Sequence, residues 1–336
     1  MKPLLVAVAA LLLGSLASAL SIETLSPVRS VPPEIAGRFR DPRGFQQSAS
    51  GEYFVFDRRA HTMWGIDPQM DGPFRIVEIG AEPGRLLDPT SFAVAPDGSF
   101  VVADAPRGMA RIQVFTPAGF LTAGFFLNAA ARPRLTIDNT VLSGIGSLQF
   151  TGSSILLSQP ETGSLVSEYL LSGQPKRSVG TLRATGHESD PDVHIALNSG
   201  IPLLTSSGAM YYVFQAGLPA FRKYDAEGQL IFERQIQGRE VDELLPKLPS
   251  SWPRDPQQGE LPVVRPTIRA AAVDKADRLW ISFDAGFTYV FDADGDKLRV
   301  VQFRGVGAVS PGTMFFGPTG RLLVTPGLHE YEVNPH

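Results

Sequence analysis

Short hydrophobic runs separated by glycine-containing turns recur along most of the chain. The clearest unit, Leu87–Phe126, predicts four strands at Ser91–Ala95, Phe100–Ala103, Arg111–Phe115 and Phe120–Phe126. Asp-Gly at 97–98 and Pro-Ala-Gly at 117–119 supply residues that tight turns favour. Short strands joined by such turns indicate a four-stranded antiparallel sheet.

The same order of strands and turns is found five more times. The first turns of the six units lie at Gly51, Gly98, Gly152, Gly208, Asp277 and Gly320. Repeats of roughly 40–50 residues with four strands each are typical of a β-propeller, because one such sheet cannot bury both of its faces alone. The sequence therefore predicts an all-β fold, a single six-bladed β-propeller domain over residues 20–336.

Two further features concern how the ring closes and what crosses its face. The last unit has three strands, and Ser21–Val28 is predicted to complete it as the outer strand near Glu330–Val333, because a missing strand would expose a sheet edge. The connections Asn128–Leu142 and Gly238–Thr267 (the long interblade loop, 238–267) are longer than turns, and such loops are often functional. We expect both to act as lids at the channel mouth.

Residues 1–19 have the composition of a secretory signal peptide. Lys2 precedes an apolar segment, Pro3–Leu13, that is shorter than the roughly 20 residues of a membrane span. Ala17-Ser18-Ala19 places small residues before the expected cleavage site. The sequence predicts export to the periplasm or the extracellular space, with no membrane span in the mature chain. An uncleaved N-terminal anchor is the alternative.

Composition excludes several classes of function. The 336 residues have a formal net charge of −4, 43% of them are hydrophobic, and none is cysteine. This balance gives no basic footprint for a nucleic acid, and a thiolate metal site or a cysteine nucleophile is impossible. No Gly-x-Ser-x-Gly elbow, Walker loop or dinucleotide fingerprint follows a predicted strand.

The unit DPTSFAVAPDGSFVVADAPRGMARIQVFTPAGFL resembles an NHL-repeat blade. The shared features are a proline, a small alternating strand, Asp-Gly, an apolar strand ending in Ala-Asp, and Arg-Ile-Gln-Val-Phe. Residues 267–303 resemble this pattern less closely and residues 40–67 loosely. The resemblance implies a six-bladed propeller, and propellers of this type include binding scaffolds as well as enzymes.

Calcium-dependent gluconolactonase-like hydrolases are similar in outline, and they carry acids and asparagines as metal ligands at the channel mouth. Aligned by its turns, this chain has Arg43 near the first acid of that family and Arg269 at the second. Gly200 stands near the asparagine position, with Asn198 out of register. Because arginines repel a dication, we do not expect a lactonase-type metal site here.

The arrangement of arginines is the most suggestive chemical feature. Five of them are predicted to reach one face of the propeller: Arg43, Arg58, Arg59, Arg107 and Arg269. Two begin inner strands, and three follow second strands, which end at the same face. Guanidinium groups gathered there favour a carboxylate, a phosphate or an acidic glycan. The alternative is local pairing with the aspartates that end second strands, Asp57, Asp104 and Asp284.

A metal site is the second chemical candidate. His187, Asp190, Asp192 and His194 lie within eight residues, but their spacing matches no standard motif, and a solvated loop is the simpler interpretation. Asp292–Asp296 resembles the start of a calcium loop, yet its glycine stands fourth rather than sixth, and a hairpin turn is the simpler interpretation. No cofactor is predicted, and a divalent cation such as Ca²⁺ stays open as an alternative.

The leading interpretation is an exported binding or interaction module. It would take an anionic small molecule, a glycan or a protein at the channel mouth, and no nucleic acid. One alternative is a hydrolase or lyase of the lactonase-like propeller type, with its site under the loop 238–267. Another is a structural component of a cell-surface assembly. The lack of a matched catalytic set favours binding.

Overall fold

The computed structural model describes residues 22–130, 133–137, 140–255 and 261–333, with the side chains of 128–143 and of residue 255 left aside. The predicted signal segment, residues 1–19, lies outside these ranges. Among the helices within them, none has the length and apolar character that a membrane crossing requires.

Six sheets of antiparallel strands form the blades of the propeller. The chain enters through β1 (Ile22–Leu25), β2 (Pro27–Ser30) and the short helix α1 (Pro33–Ala36). Blade one contains β3 (Pro42–Gln47), β4 (Tyr53–Asp57), β5 (Thr62–Ile66) and β6 (Pro73–Val77). Blade two contains β7 (Ser91–Val94), β8 (Phe100–Asp104), β9 (Met109–Phe115) and β10 (Leu121–Ala130).

A β-hairpin precedes the third blade, and a helix precedes the fourth. The hairpin consists of β11 (Pro133–Ile137) and β12 (Thr140–Ser143). Blade three contains β13 (Leu148–Phe150), β14 (Ser154–Ser158), β15 (Ser164–Leu170) and β16 (Pro175–Thr181). Helix α2 (Pro191–Asn198) precedes blade four, which contains β17 (Gly200–Leu204), β18 (Met210–Phe214), β19 (Ala220–Tyr224) and β20 (Leu230–Gln235).

The long loop and the last two blades complete the ring. The loop holds helix α3 (Arg239–Asp242) and two short strands, β21 (Arg254–Asp255) and β22 (Leu261–Pro262). Blade five contains β23 (Ile268–Val273), β24 (Leu279–Phe283), β25 (Thr288–Phe291) and β26 (Lys297–Arg304), with β27 (Ala308–Val309) paired to β26. Blade six contains β28 (Thr313–Phe316), β29 (Leu322–Thr325) and β30 (His329–Tyr331). Single 3₁₀ turns lie at Pro106–Gly108, Pro160–Thr162 and Leu245–Lys247.

The predicted six-bladed propeller is confirmed by the way the blades pack. The first strands of consecutive blades contact one another in cyclic order, and β28 returns to β3. An apolar cluster joins each pair of neighbouring blades, including blades six and one. The second strands, such as Phe100–Asp104, are buried at every position. Their continuous apolar runs follow from this packing, because both faces of each blade are covered.

The N-terminal segment closes the ring as predicted, although it divides into two strands. Strand β2 pairs antiparallel with β30, with Ser30 opposite His329, and so supplies the outer strand of the last blade. Strand β1 instead pairs in parallel with β26, with Ile22 opposite Val300. The predicted single strand Ser21–Val28 therefore spans the boundary between two blades, and the closing strand itself is Pro27–Ser30.

The two predicted long loops contain secondary structure of their own. Strand β10 continues to Ala130, and most of the rest of the loop predicted at 128–142 belongs to the β11–β12 hairpin. The loop predicted at 238–267 contains helix α3 and the short strands β21 and β22. Blade two otherwise agrees with the strands predicted from the sequence to within about four residues at each end, the usual uncertainty of such boundaries.

Candidate functional site

An axial cavity of about 320 Å³ lies where the six inner strands meet. Every blade contributes to its wall, either from the inner strand or from the residues just before it. Because the blades repeat with the innermost strand first, all inner strands begin at the same end of the axis. We call this the arginine end, because Arg43, Arg58 and Arg269 line the cavity there.

Arg43 and Arg58 share one carboxylate. Nε of Arg43 lies 2.7 Å from Oδ1 of Asp41, and Nη2 of Arg58 lies 3.2 Å from Oδ2 of the same residue. Strand pairing explains this meeting, because Pro42 at the start of β3 stands opposite Asp57 at the end of β4. Asp41 therefore holds two guanidinium groups side by side at the cavity wall.

Asp41 is itself held by a buried carboxylate. Asp57 is fully buried, and its two oxygens accept the backbone N–H groups of Arg40 at 2.8 Å and Asp41 at 2.9 Å. A third backbone donor, from Ala60, lies at 3.2 Å. The alternative from the sequence was that Asp57 pairs with a nearby arginine. The structure shows that Asp57 fixes the backbone that carries Asp41.

In blade five, a single arginine and a single aspartate form a similar ion pair at the start of the inner strand. Arg269, at the start of β23, forms an ion pair with Asp284, which follows β24. The Asp284 amide donates to the carbonyl of Thr267 at 3.0 Å, which ties the two strand ends together. The alternative of local Asp–Arg pairing thus describes this pair, and the paired guanidinium still lines the cavity.

All charged side chains on the described cavity wall are positive. Within the described part of the chain, the ionisable residues that line it are the three arginines, and no carboxylate belongs to the wall. Their side chains are between 16% and 30% exposed, so they are partly shielded from solvent. Partial burial strengthens the field of a charge, because the local dielectric constant falls below that of water.

Two predicted arginines lie elsewhere. Arg59 and Arg107 are exposed, and neither belongs to the cavity wall. Arg107 adopts a positive φ of 57° inside the 3₁₀ turn that follows β8. Asp104, for which the alternative was local pairing with an arginine, binds the buried Arg111 on the neighbouring strand, with Nη2 and Oδ2 2.5 Å apart. Burial raises the pKa of Asp104, against the opposing effect of Arg111.

The four candidate metal ligands are engaged in other contacts. Asp190 caps helix α2 and pairs with Arg254 at 2.6 Å, an interaction that lowers the pKa of Asp190. Asp192 lies 3.7 Å from the same guanidinium. The Nδ1 atom of His194 lies 2.7 Å from the Thr185 hydroxyl. Across the described ranges, no three His, Asp or Glu side chains group as metal ligands would.

The calcium-like segment forms the turn between β25 and β26. The Oδ1 atom of Asp292 accepts the backbone N–H groups of Asp294 at 3.0 Å and Asp296 at 2.8 Å. An aspartate bonded to its own following backbone is the usual device of a tight turn. The hairpin alternative therefore describes the geometry of this segment.

The long interblade loop is anchored on helix α2 at the arginine end. Trp252 packs against the apolar cluster of Val193 and Val264, and its ring meets that of His187 edge to face at 4.7 Å. The Arg254 ion pair with Asp190 adds a polar contact to the same helix. Because α2 leads directly into β17, the loop is fixed beside the cavity entrance.

Sequence reasoning missed two residues of this site. Asp41 stands two positions before Arg43, and that spacing was a signal, since both flank the start of one strand. Gln215 lines the cavity after β18, and its carbonyl accepts the N–H groups of Thr267 and Ile268 at 2.7 and 3.0 Å. Nothing in the local sequence marks this contact between blades four and five.

Comparison with known proteins supports the fold. No family model and no curated protein matches the chain. Solved structures with the same fold include virginiamycin B lyase from Staphylococcus aureus, with 13% identity, a TM-score of 0.52, and 85% of this chain and 77% of that one covered. Streptogramin B lyase matches with 11% identity and a TM-score of 0.55, over 91% and 97%. Hydrazine synthase from Kuenenia stuttgartiensis matches with 10% identity and a TM-score of 0.50, over 86% and 93%.

At these identities the likeness shows the fold and no more. The chain is a six-bladed β-propeller whose axial cavity is lined by arginines at one end.

Proposed function

We propose that this protein is an exported NHL-type propeller that binds an anionic group at the arginine end of its axial cavity. The observation that carries the proposal is the placement of Arg43, Arg58 and Arg269 on one cavity wall. Guanidinium forks bind carboxylate and phosphate groups through paired hydrogen bonds. The composition of residues 1–19 supports export.

The two aspartates at this end are compatible with anion binding. A guanidinium carries five N–H donors, so one group can hold a structural carboxylate and a ligand together. Asp41 and Asp284 also fix the directions of the arginines before a ligand arrives. Such preorganisation reduces the side-chain entropy that binding would otherwise remove.

The enzymatic alternative has less support from the cavity wall. Two of the solved structures with this fold are named as lyases. A hydrolase or lyase needs a general acid or base within reach of its substrate. The described wall contains no histidine, tyrosine, lysine or carboxylate. Asp41 and Asp284 already hold arginines, so we propose binding rather than turnover.

Calorimetric titration with matched pairs of small molecules tests the proposal. Benzoate is compared with benzamide, glucuronate with glucose, and phosphate and sulfate are added as free anions. We expect at least one anion to bind, and Arg43→Ala with Arg269→Ala to weaken it by about tenfold or more, since hydrogen bonds to charged groups contribute about 1.5–3 kcal/mol each.

The matched control is Arg59→Ala with Arg107→Ala. These residues are exposed and lie off the cavity wall, so the control removes the same charge without touching the site. Binding in the control should equal that of the unaltered protein. Failure of every anion to bind, or equal losses in the two double variants, contradicts the proposal.

A further inference from the structure

Building on the proposed function, we infer that the ligand is a small amphipathic anion. Its charged group meets the arginines, and its apolar body occupies the cavity beyond them. The inference comes from the composition of the wall along the axis. It specifies a class of ligand that an arginine cluster alone does not.

On three of the inner strands the wall changes from a polar residue to an apolar one near the arginine end. Among the residues that line the cavity are Ser-Phe at 91–92, Ser-Leu at 147–148 and Thr-Met at 313–314. In each pair the first residue lies nearer the arginine end, because all inner strands run in the same direction. In blade five, Arg269 is followed by three alanines and a valine, which also line the cavity. Beyond the arginines the wall is mainly hydrocarbon, and the side chains of Gln46 and Gln149 are its polar exceptions.

Three hydroxyl groups that line the cavity already have partners within the protein. The hydroxyls of Thr90 and Ser91 donate to the carbonyl of Ile145 at 2.7 and 2.9 Å. The hydroxyl of Thr313 lies 2.7 Å from that of Thr325. An apolar body that covers these groups leaves their hydrogen bonds intact, so it does not incur the penalty of a buried unpaired polar atom.

Cavity size indicates a single small molecule. A volume of about 320 Å³ lies at the lower end of the roughly 300–1,000 Å³ typical of ligand pockets. Ile201, Phe315 and Phe316 line this space and are half-buried, so apolar surface remains to be covered there. Burial of that surface by a ligand would be favourable. A glycan chain or a protein segment would need a longer groove.

Three probes distinguish the contribution of the charged group to affinity from that of the apolar body. We propose calorimetric titrations with 1-naphthalenesulfonate, with methanesulfonate, which lacks the apolar body, and with 1-naphthol, which is uncharged at neutral pH. We expect one 1-naphthalenesulfonate to bind per chain, about tenfold or more tightly than either of the other two, because only it uses both parts of the cavity.

Two sets of substitutions locate the probe. Arg43→Ala with Arg269→Ala should weaken 1-naphthalenesulfonate by about tenfold or more. Ile201→Thr keeps a β-branched side chain in its strand while making the wall more polar, and it should weaken 1-naphthalenesulfonate by about threefold without changing methanesulfonate binding. The exposed pair Arg59→Ala with Arg107→Ala is the charge-matched control and should change neither. Melting temperature and circular dichroism confirm that each variant is folded.

The outcomes distinguish this inference from the proposed function. Methanesulfonate binding that depends on the arginines, with 1-naphthalenesulfonate binding no more tightly, would contradict the inference that the ligand is amphipathic. The proposed anion binding would still stand. If 1-naphthalenesulfonate binds but is insensitive to the arginine variant, the placement of the charged group is wrong. If neither sulfonate binds, this inference fails, and the carboxylate and phosphate panel decides the proposed function separately.

Discussion

The phenolic hydroxyl of Tyr53 in blade one donates a hydrogen bond to the Glu330 carboxylate in blade six. Both side chains are 2% exposed. Arg321 lies 3.1 Å from the second oxygen of Glu330, and Arg29, from the closing strand β2, donates to the Tyr53 oxygen at 3.4 Å. The first blade, the last blade and the N-terminal strand thus meet in one polar network, with Tyr53 and Glu330 buried at its centre, at the point where the ring closes.

Replacing Tyr53 by Phe should destabilise the protein by about 1–3 kcal/mol, because the buried Glu330 carboxylate loses a donor. Urea unfolding measures the change. The matched control is Tyr169→Phe, which removes a hydrogen bond of 3.0 Å to the neutral Gln159 within blade three and should have a smaller effect, about 0.5–1.5 kcal/mol. An effect no larger than that of the control would show that the junction network contributes little to closure.

The same tyrosine predicts a loss of stability at alkaline pH. Burial, together with the neighbouring Glu330, raises the pKa of Tyr53 from 10.0 to about 12. The folded protein therefore holds this proton more tightly than the unfolded chain does. The resulting stability is complete below pH 10 and is lost as the pH rises from 10 towards about 12.

Burial also raises the pKa of Tyr331 to about 12, so the test is a difference between two proteins. Unfolding free energies are measured against pH for the unaltered protein and for Tyr53→Phe. The decline above pH 10 should be shallower in the variant, because one titrating group has been removed. Parallel curves would mean that Tyr53 ionises as readily in the folded state as in the unfolded one.

Removal of the N-terminal strands should lower the melting temperature by about 10 °C or more, because it exposes the edges of two blades and removes the contacts of Arg29. The test compares a chain that begins at Val31 with one that begins at Ile22. The longer chain keeps β1 and β2 and should melt like the full-length protein. Equal melting of the two chains would show that the strands are dispensable for ring closure.

Acidic pH should weaken the same junction through His329. Its Nδ1 atom lies 2.7 Å from the Ser30 hydroxyl on the closing strand, and burial lowers the pKa of the ring below 6.5. The folded state therefore binds this proton less readily than the unfolded chain. Stability is complete above pH 6.5 and falls as the pH drops through the folded-state pKa. Unfolding curves of His329→Gln should depend less steeply on pH in this range, and identical slopes would contradict the prediction.

The architecture could be predicted because it depends on sequence patterns that are local to each blade. Turn residues and strand patterns repeat, and a repeat that cannot bury its faces alone must stack on others. Arg43 and Arg269 lie on the cavity wall because both begin inner strands, a position that the sequence pattern indicates. Arg59 was not distinguished from Arg58, because both lie in the turn after β4, where strand alternation does not apply.

Contacts between residues far apart in the sequence could not be predicted from it. Tyr53 and Glu330 are 277 positions apart, and their meeting depends on the register of two strands in different blades. The N-terminal segment was assigned to the correct edge, but its division between blades five and six depends on where the strand bends. The polar-to-apolar change along the cavity likewise appears only when the six inner strands are brought together.

A last prediction concerns the close approach of Gly44 and Phe92 at the cavity wall. A Cβ atom at Gly44 would lie 1.9 Å from Cε1 of the Phe92 ring, which stacks on Phe56 with a centroid distance of 5.2 Å. Gly44→Ala should therefore displace this ring and destabilise the protein by about 1–3 kcal/mol, as overpacked cores do. Phe92→Leu, which makes room for the methyl group, should make Gly44→Ala less harmful when the two are combined. A double-mutant cycle by urea unfolding measures this coupling, and strictly additive effects would show that the ring is not what requires glycine at position 44.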